Sequence, residues 1–480
     1  MKIKTDSNAF YLIVLLLLSV VTHFYAFGEP EQVVFDEVHF GKYVSSYCCT
    51  SQRIFDIHPP HAKILIAYTA RLFGYQGEQN FSKISNPFPK QDNWSLRLLP
   101  TIAGTLFVPI IFILMIQLHA SQAAAFFASL LILFDTALLT QSRFLFLDSI
   151  LLLAIFSSIS LVIWASNINN LTNRMLGFMV AGALAAIAVG TKFTGLVALA
   201  LPFLFAVGDI IKNKRFSLIK EWGIAACVFI GAFIGIYLIG WFIHFSHLNQ
   251  PGPGDIWGIL EGNFFDKLQK IHITMFKANA NLTTPHHDAS MWWGWPFMHN
   301  PIYYWNGLGK KIYLIGNPLV WWTSFLMLLT AILTMLLMRV SNLTILGTET
   351  RESKEKKQSK KEKQKKYQKS IPIEEEQEQP NLWFPLFGYC VAFLPLVLVS
   401  RPLFLYHYFT PLIFSILFVV LWLDKIAWFR LGSFLQQRIS VYVSLFAVLL
   451  SFVLLAPLSY GLSKSIPISD FIFSVFPLWR

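Results

Sequence analysis

Long apolar runs recur along the whole chain, separated by shorter polar connections. By length and hydropathy they predict eleven membrane-spanning helices. Their approximate limits are 9–27, 96–117, 121–140, 144–165, 175–191, 193–211, 222–243, 318–339, 383–400, 403–423 and 440–460. A water-soluble fold would need several long helices in succession that are apolar on every side. The pattern therefore predicts an all-α polytopic membrane protein.

The first apolar run allows a second interpretation. It extends from Ala9 to Phe27 and follows Lys2 and Lys4, as the apolar part of a secretory signal peptide would. The run is long for a signal peptide, and no convincing cleavage site of small residues follows it. We therefore expect a first span that the protein retains.

Basic residues between the spans indicate which ends face the cytoplasm. With a cytoplasmic N-terminus, the internal connections carry most of the Lys and Arg, as the positive-inside rule requires. These residues are Arg174, Lys212, Lys214, Arg215, Lys220, Lys425, Arg430, Arg438 and those of segment 339–382. The C-terminal tail, 461–480, then lies outside.

Two long external loops follow from this orientation. The first, 28–95, belongs to an N-terminal module of seven spans, 1–243. The second, 244–317, is rich in aromatic residues and leads into a C-terminal module of four spans, 318–460. Within the first loop, residues 61–77 are apolar at helical spacing but too few to cross a bilayer, so we expect an interfacial helix there.

The composition fits a membrane protein, because 55% of the residues are hydrophobic and only 13% are charged. The formal net charge of +12 suggests nucleic acid, but ten Lys and Arg lie between Arg351 and Lys369, interleaved with Glu. This stretch belongs to segment 340–382, which we expect to be a disordered cytoplasmic loop attracted to anionic lipid. Membrane lipids, and no nucleic acid, are therefore the expected partners.

Four cysteines are too few for a disulfide framework. Cys48 and Cys49 are adjacent and poorly placed to bridge each other without strain. Cys227 and Cys390 lie in apolar spans, where we expect them to be part of the core.

Two adjacent carboxylates, Asp36 and Glu37, follow the first span. An isolated acidic pair of this kind usually caps a solvated interfacial helix. A partly desolvated carboxylate has a raised pKa and can take the proton of an acceptor hydroxyl. A site beside the end of a span suits a substrate whose headgroup is held at the membrane. The pair alone does not decide between the two interpretations.

Several basic residues are predicted on the same side of the membrane as that pair. They are His58, Lys63, Arg97, Arg143, Lys192, Arg401 and His407. Each one separately is typical of a side chain that reaches towards lipid headgroups. Together, cations at the outer end of a helix bundle suit a phosphate, for which Arg supplies paired donors.

Asp148 lies at the membrane edge, five residues after Arg143. An unpaired carboxylate is costly at this depth. One interpretation is a structural ion pair with Arg143 or Lys192, and the other is a role in binding the substrate.

Clustered histidines raise the question of a metal ion. The stretches "HPPH" (58–61) and "TPHHD" (284–288) contain ligand types, but they lack helical i, i+4 spacing and a Cys partner. We predict no metal site, with a divalent metal as a minor alternative. The sequence shows no glycine-rich phosphate loop, so a soluble nucleotide donor is unsupported.

Seven motifs, in order, resemble one family. They are "FDEVHFG", "DIHPPHAKILIA", "RLLPTIAGTLFVPI", "QSRFLFLDSILL", "GTKFTGL", "WWGWPFMHNPIYYW" and "YHYFTPLIFSIL". Their order and spacing resemble the protein O-mannosyltransferases, which are lipid-donor glycosyltransferases of the GT-C class. The resemblance extends from about residue 30 to 425.

This resemblance implies an inverting enzyme that moves mannose from polyprenyl-phosphate mannose to Ser or Thr hydroxyls of secreted or membrane proteins. Asp36 would be the base, and Glu37 would position the donor or acceptor. The basic residues above and Asp148 would bind the donor, which is the one cofactor-like molecule implied. The aromatic residues Trp292, Trp293, Trp295, Tyr303 and Tyr304 would line the groove for the sugar or the acceptor peptide.

The chain departs from the eukaryotic members in its second external loop, which is too short for their β-trefoil MIR domain. It resembles the shorter bacterial type, and this implies a bacterial polyprenyl phosphate, a plasma-membrane location and a site on the external side. A GT-C transferase that moves another sugar, such as an aminoarabinose, to lipid A or another lipid is the main alternative. A transporter or flippase is less favoured because no internal repeat is visible. A structural scaffold would leave the one-sided charges unexplained.

Overall fold

The computed structural model describes residues 5–214, 216–259, 261–348, 380–426, 428–429 and 434–479. The segment that we expect to be disordered falls mainly outside these residues. The helices are α1 (Thr5–Phe24), α2 (Glu37–Ser45), α3 (His61–Leu72), α4 (Lys90–Gln117), α5 (Gln122–Leu133), α6 (Thr136–Arg143), α7 (Asp148–Ser166), α8 (Leu171–Val189), α9 (Val197–Asn213), α10 (Phe216–His247), α11 (Phe264–Ala280), α12 (Pro318–Thr348), α13 (Trp383–Val397), α14 (Phe409–Lys425), α15 (Phe434–Tyr460) and α16 (Ser465–Val475).

The predicted membrane spans coincide with apolar helices. Within the described residues, nine helical segments are long and apolar enough to cross a membrane, and the bent pair α5–α6 could supply a tenth. The predicted span at 383–400 falls on α13, which has only 15 residues and is shorter than a typical span. The polytopic helical architecture is therefore confirmed, although the count of eleven is not.

The segment predicted as one straight span at 121–140 is broken, because α5 and α6 meet at an angle of 60°. A break exposes backbone amides that need acceptors, and Asp135 supplies them. Its carboxylate accepts from the amide of Leu138 at 2.9 Å, the amide of Asn317 at 3.0 Å and the indole of Trp321 at 2.7 Å. The buried Asp135 thus holds the break against the start of α12.

The first external segment contains α2, a π-helical turn (Ser46–Thr50) and α3. Helix α3 buries one side and exposes Leu65, Tyr68 and Leu72 on the other. Its first residue, His61, lies between Gly190 and Gly240, where an added Cβ would come within 2.2 and 2.4 Å of the ring. These glycines let the short helix pack closely on the bundle.

Within that turn, Cys48 and Cys49 are joined by a disulfide. The expectation that these neighbours would not bridge each other was therefore wrong. Adjacency in sequence argues against such a bond, but the irregular π-helical backbone at 46–50 accommodates it.

The second external segment holds α11, a 3-10 turn (Trp292–Phe297) and an antiparallel hairpin of β1 (Ile302–Gly307) and β2 (Lys310–Leu314). The sequence did not predict the hairpin. Its two-residue turn places Leu308 at φ +54° and Gly309 at φ +71°. Hairpins usually signal such a turn with Asn or Gly at the first position, and Leu308 hides that signal.

Candidate active site

Asp36 is the residue immediately before α2, and contacts of its neighbour Phe35 hold it in place. The amide of Phe35 donates to the carbonyl of Tyr304 at 3.1 Å, and the two aromatic rings stack at 4.4 Å. Phe35 also adopts the left-handed conformation, with φ +39°. Within the described part of the chain, the Asp36 side chain makes no hydrogen bond. Asp36 is therefore a positioned carboxylate that is free to bind a substrate.

The surroundings of Asp36 favour its neutral form. Burial raises the pKa of Asp36 to about 7, and the charges of Asp148 and Asp56 raise it further against the opposing charge of Lys192. Protein atoms crowd the carboxyl group, although the residue keeps some accessible surface. A carboxylate with a pKa near neutral is well matched to take a proton.

Glu37 has a different environment from its neighbour. Its two oxygens accept from Nε and Nη2 of Arg97 at 2.7 and 2.8 Å, and from the amides of Val34 and Leu145 at 2.8 and 3.0 Å. Arg97 also donates to the carbonyls of Gly28, Pro30 and Gln32. Both residues are completely buried. The pair therefore fixes the loop that carries Asp36, and Arg97 has no donor left for a phosphate.

Arg143 also makes hydrogen bonds within the protein. Its guanidinium donates to the carbonyls of His23, Tyr25 and Ala26 at 2.7–2.8 Å and lies 4.4 Å from the ring centroid of Tyr460. These carbonyls belong to the last turn of α1 and to the two residues that follow it, where a helix lacks internal donors for them. Arg143 thus anchors the end of α1, while its buried Nε has no hydrogen-bond partner among the described residues. Its place in the donor site stays a prediction.

A cavity of about 200 Å³ lies between α7, α9, α13 and the start of α14. We call it the lateral cavity. Asp148, Lys192, Tyr406 and His407 contact one another in sequence along its wall, and we call this part its polar end. The other lining residues include Thr194, Thr410, Leu151, Leu152, Val197, Ala200, Val391, Ala392, Pro395, Leu396 and Phe409. A polar end on an apolar channel suits a headgroup attached to a hydrocarbon chain.

Asp148 and Lys192 form an ion pair at the polar end, with Oδ1 and Nζ 2.7 Å apart. The structural ion pair is thus the interpretation that the geometry supports for Asp148. The ammonium of Lys192 also lies 5.0 Å from the ring centroid of Tyr406. Lys192 therefore faces the cavity with its position fixed from two sides.

Lys63 pairs with Asp56, and its ammonium also donates to the carbonyl of His58 at 2.8 Å. Burial lowers the pKa of Lys63, and Asp56 opposes this shift. The sequence-based prediction placed Lys63 among the phosphate ligands without its carboxylate partner. The bend at Pro59 and Pro60 brings Asp56 and Lys63 together, and these prolines could have indicated the pairing in the sequence.

His58, Arg401 and His407 complete the cluster. Burial lowers the pKa of His58 well below its usual range, and the charges of Lys192, Lys63 and Arg401 add to this effect. The imidazole is therefore neutral and shares its surroundings with three cations. Nδ1 of His407 contacts the carbonyl of Phe404 at 3.0 Å, while its ring lies 4.8 Å from Tyr406.

Arg401 differs from the other cations because, among the described residues, its guanidinium has neither a carboxylate partner nor a hydrogen-bond acceptor. Burial lowers the pKa of its guanidinium, and Tyr406 opposes this shift. Of the predicted phosphate ligands, Arg401 is thus the best suited to bind an anion from outside the protein.

The five predicted aromatic residues divide into two groups. Trp295 and Tyr304 are buried, and the indole of Trp295 donates to the hydroxyl of Ser290 at 3.0 Å. Trp292, Trp293 and Tyr303 expose 36, 56 and 38% of their surface. Tyr304 packs against the segment that carries Asp36, and Trp295 packs against His407. The exposed three remain available to an acceptor.

Among the described residues, no group of three His, Cys, Asp or Glu side chains is placed to hold a metal ion. Three contributors to the site were not predicted, namely Asp56, Gln141 and Tyr406. They adjoin predicted residues in the motifs. Asp56 pairs with Lys63 seven residues away, whereas Gln141 and Tyr406 contact Tyr304 and Lys192 from distant parts of the chain.

Solved structures of other membrane proteins share the fold of this chain. The chain aligns with the protein O-mannosyltransferase Pmt1-Pmt2 complex of S. cerevisiae bound to the sugar donor, with a TM-score of 0.81 and 17% identity over 96% of this chain and 91% of that chain. ArnT from Cupriavidus metallidurans in the apo state is more distant, with a TM-score of 0.50 and 14% identity over 98% and 74% of the two chains. The chain therefore shares the fold of the S. cerevisiae protein O-mannosyltransferase structure.

Two family models match most of this chain. The model described as dolichyl-phosphate-mannose-protein mannosyltransferase matches residues 13–249. The model described as the C-terminal four-TMM region of protein-O-mannosyltransferase matches residues 264–471. The chain belongs to the protein O-mannosyltransferase family.

Curated relatives share part of their length with this chain. Protein O-mannosyltransferase 1 of Drosophila melanogaster is 32% identical over 50% of this chain and 28% of the relative. Dolichyl-phosphate-mannose--protein mannosyltransferase 4 of Candida albicans is 31% identical over 50% of this chain and 33% of the relative. The chain thus spans about a third of the length of these relatives.

Proposed function

We propose that the protein transfers mannose from a polyprenyl-phosphate mannose to Ser or Thr hydroxyls of proteins, with inversion at the sugar. The observation that carries this proposal is the carboxyl group of Asp36. It is free of hydrogen bonds to the described residues and lies within the electrostatic influence of Lys192. The reaction requires a base and a cation that stabilises the leaving phosphate. Asp36 would be the base, and Lys192, which lines the lateral cavity, would be the cation.

In the proposed reaction, the acceptor oxygen attacks the anomeric carbon while Asp36 takes its proton. The bond between that carbon and the phosphate oxygen breaks, and its electron pair leaves with the polyprenyl phosphate. A single displacement inverts the sugar and needs one base. Lys192 and Arg401 would stabilise the charge that develops on the phosphate, and the apolar walls of the lateral cavity would hold the lipid chain.

Other proposed roles follow from exposure and orientation. Trp292, Trp293 and Tyr303 would contact the acceptor peptide, since exposed aromatic faces pack against extended chains and sugar rings. The arrangement of basic connections supports a cytoplasmic N-terminus and a site on the opposite side of the membrane. The plasma membrane is proposed from the resemblance to the shorter bacterial type. Secreted or membrane proteins would then meet the site after translocation.

The test of this function uses purified full-length protein, radiolabelled polyprenyl-phosphate mannose and a peptide rich in Ser and Thr. We expect label on the peptide as an α-linked mannose if the donor is β-linked. A parallel assay supplies lipid A and a radiolabelled aminoarabinose donor. Label on lipid A in that assay would favour the alternative GT-C activity. Failure to modify the peptide with the mannose donor would contradict the proposal.

The pKa of Asp36 predicts how transfer depends on pH. The reaction needs the ionised carboxylate, and burial raises its pKa to about 7. We therefore expect kcat/KM to fall tenfold for each unit of pH below about 7 and to level off above it. Initial rates of peptide labelling between pH 5 and 9 measure this profile. A midpoint near 4 would show that the base is an ordinary solvated carboxylate.

Replacing Arg401 with glutamine is expected to raise the KM for the donor by about 10-fold to 100-fold, because a hydrogen bond to a charged group contributes about 1.5–3 kcal/mol. Arg401→Lys should recover part of this loss by restoring the charge without the paired donors. Donor titrations at saturating peptide measure the change. Arg53→Gln is the matched control, since Arg53 pairs with Asp255 in a partly exposed position. An unchanged donor KM in Arg401→Gln would remove Arg401 from the phosphate site.

A further inference from the structure

A chain of hydrogen bonds connects the hairpin to the lateral cavity through buried side chains. The hydroxyl of Tyr304 donates to Oε1 of Gln141, and Nε2 of Gln141 donates to Oδ2 of Asp148 at 2.7 Å. The other oxygen of Asp148 accepts from Lys192 at 2.7 Å. Their exposed fractions range from 1% for Tyr304 to 8% for Lys192. The hydrogen bonds between Tyr304, Gln141 and Asp148 are therefore shielded from bulk water, and the series ends at the lateral cavity.

The direction of the Gln141 amide depends on Tyr304. The amide has an acceptor oxygen at one end and two N–H donors at the other. Because the Tyr304 hydroxyl donates to the oxygen, the N–H groups must face the carboxylate of Asp148. Without that hydroxyl the amide could rotate and present its oxygen to the carboxylate, which would repel it.

Tyr304 also touches the segment that carries the proposed base. Its ring stacks on Phe35 with the planes 10° apart, and its carbonyl accepts from the Phe35 amide. One residue of β1 thus contacts the neighbour of Asp36 on one side and the partner of Asp148 on the other. The second external segment is in this way joined to both the base and the cation.

We propose that Tyr304 and Gln141 are positioning residues for the donor phosphate. They orient the carboxylate of Asp148, which in turn holds the ammonium of Lys192 towards the lateral cavity. The hairpin therefore controls how tightly the site binds a lipid-linked phosphate. This inference rests on the proposed function, because it assigns the donor phosphate to the polar end of the cavity.

The experiment measures binding of a polyprenyl monophosphate, which carries no sugar, to the purified full-length protein by quenching of tryptophan fluorescence. Tyr304→Phe keeps the ring stacked on Phe35 and removes only the hydroxyl. We expect its Kd to rise about tenfold, since a charge-assisted network loses one member. Tyr313→Phe is the control, because Tyr313 belongs to β2 of the same hairpin and lies outside the hydrogen-bonded chain.

Kinetics and a second variant separate positioning from a general structural effect. In Tyr304→Phe, we expect kcat/KM for the donor to fall about tenfold with the peptide KM within twofold of wild type. Gln141→Leu should give a similar loss. The double variant should lose no more than the worse single variant, because both residues act through Asp148.

Several results would overturn the inference. They are unchanged lipid-phosphate binding in Tyr304→Phe, an equal loss in Tyr313→Phe, or losses that multiply in the double variant. A wild-type protein that does not bind the lipid phosphate would have the same consequence. If wild type binds the lipid phosphate but transfers no mannose, the proposed function fails, while the binding measurements still test the roles of Tyr304 and Gln141.

Discussion

Replacing Asp36 with asparagine is expected to reduce mannose transfer by about 10³-fold, within the range of general-base contributions. The substitution keeps the size of the side chain and removes its ability to accept the proton. Transfer of radiolabel to the peptide measures the loss. Asp92→Asn at the first turn of α4 is the matched control and should retain full activity. An undiminished rate in Asp36→Asn would leave the reaction standing and remove Asp36 from its role.

The same substitution should make the protein more stable at high pH. The pKa of Asp36 is higher in the folded protein, about 7, than its ordinary value of 3.8. The ionised carboxylate therefore disfavours folding fully above about pH 7, and this effect disappears as the pH falls to about 4. The difference between these two pKa values corresponds to a loss of folding free energy of at most about 4 kcal/mol. We expect a higher melting temperature for Asp36→Asn at pH 8 and no difference at pH 4, which would also show that the inactive variant is folded.

Replacing Glu37 with glutamine is expected to destabilise the protein by about 3–5 kcal/mol, because it leaves the charge of Arg97 buried without its partner. Both side chains are within 1% of complete burial. Thermal unfolding in detergent and the yield of folded protein measure the loss. Glu221→Gln is the control, since Glu221 pairs with Arg174 at the surface with 45% of its side chain exposed and should cost at most about 1 kcal/mol.

A further variant separates charge from packing at this pair. Glu37→Gln combined with Arg97→Gln removes both charges and keeps polar side chains for the neighbouring backbone groups, so it should be more stable than Glu37→Gln alone. Wild-type stability in Glu37→Gln, together with weaker binding of the lipid phosphate, would instead assign Arg97 to the donor site. The outcome thus decides between a structural Arg97 and the phosphate ligand that the sequence predicted.

Hydropathy predicted the fold because the cost of placing polar groups in a bilayer acts on each stretch of sequence separately. The same local pattern does not reveal where a span breaks. The turn at Asp135 depends on Asn317 and Trp321, more than 180 residues away. The hairpin was missed for a similar reason, because Leu308 occupies a turn position that favours Asn or Gly.

The sequence predicted which charged residues belong to the site, but not which of them form ion pairs with one another. Glu37 and Arg97 are 60 residues apart, and Asp148 and Lys192 are 44 apart. A single sequence indicates which groups share a side of the membrane, but pairing depends on how the helices pack. Once the pairs are known, Asp36 and Arg401 stand out as charged groups without a partner among the described residues. Their proposed roles remain predictions.

The lateral cavity has a consequence for how the protein meets its lipid. One of its lining residues, Leu196, is 51% exposed on the outer surface of the bundle. A hydrocarbon chain could therefore enter sideways from the bilayer, without passing through water. The relevant donor concentration is then a mole fraction in a two-dimensional solvent. Adding inert lipid or detergent at constant total donor would slow transfer by surface dilution. The transfer rate would then depend on the mole fraction of donor in the membrane.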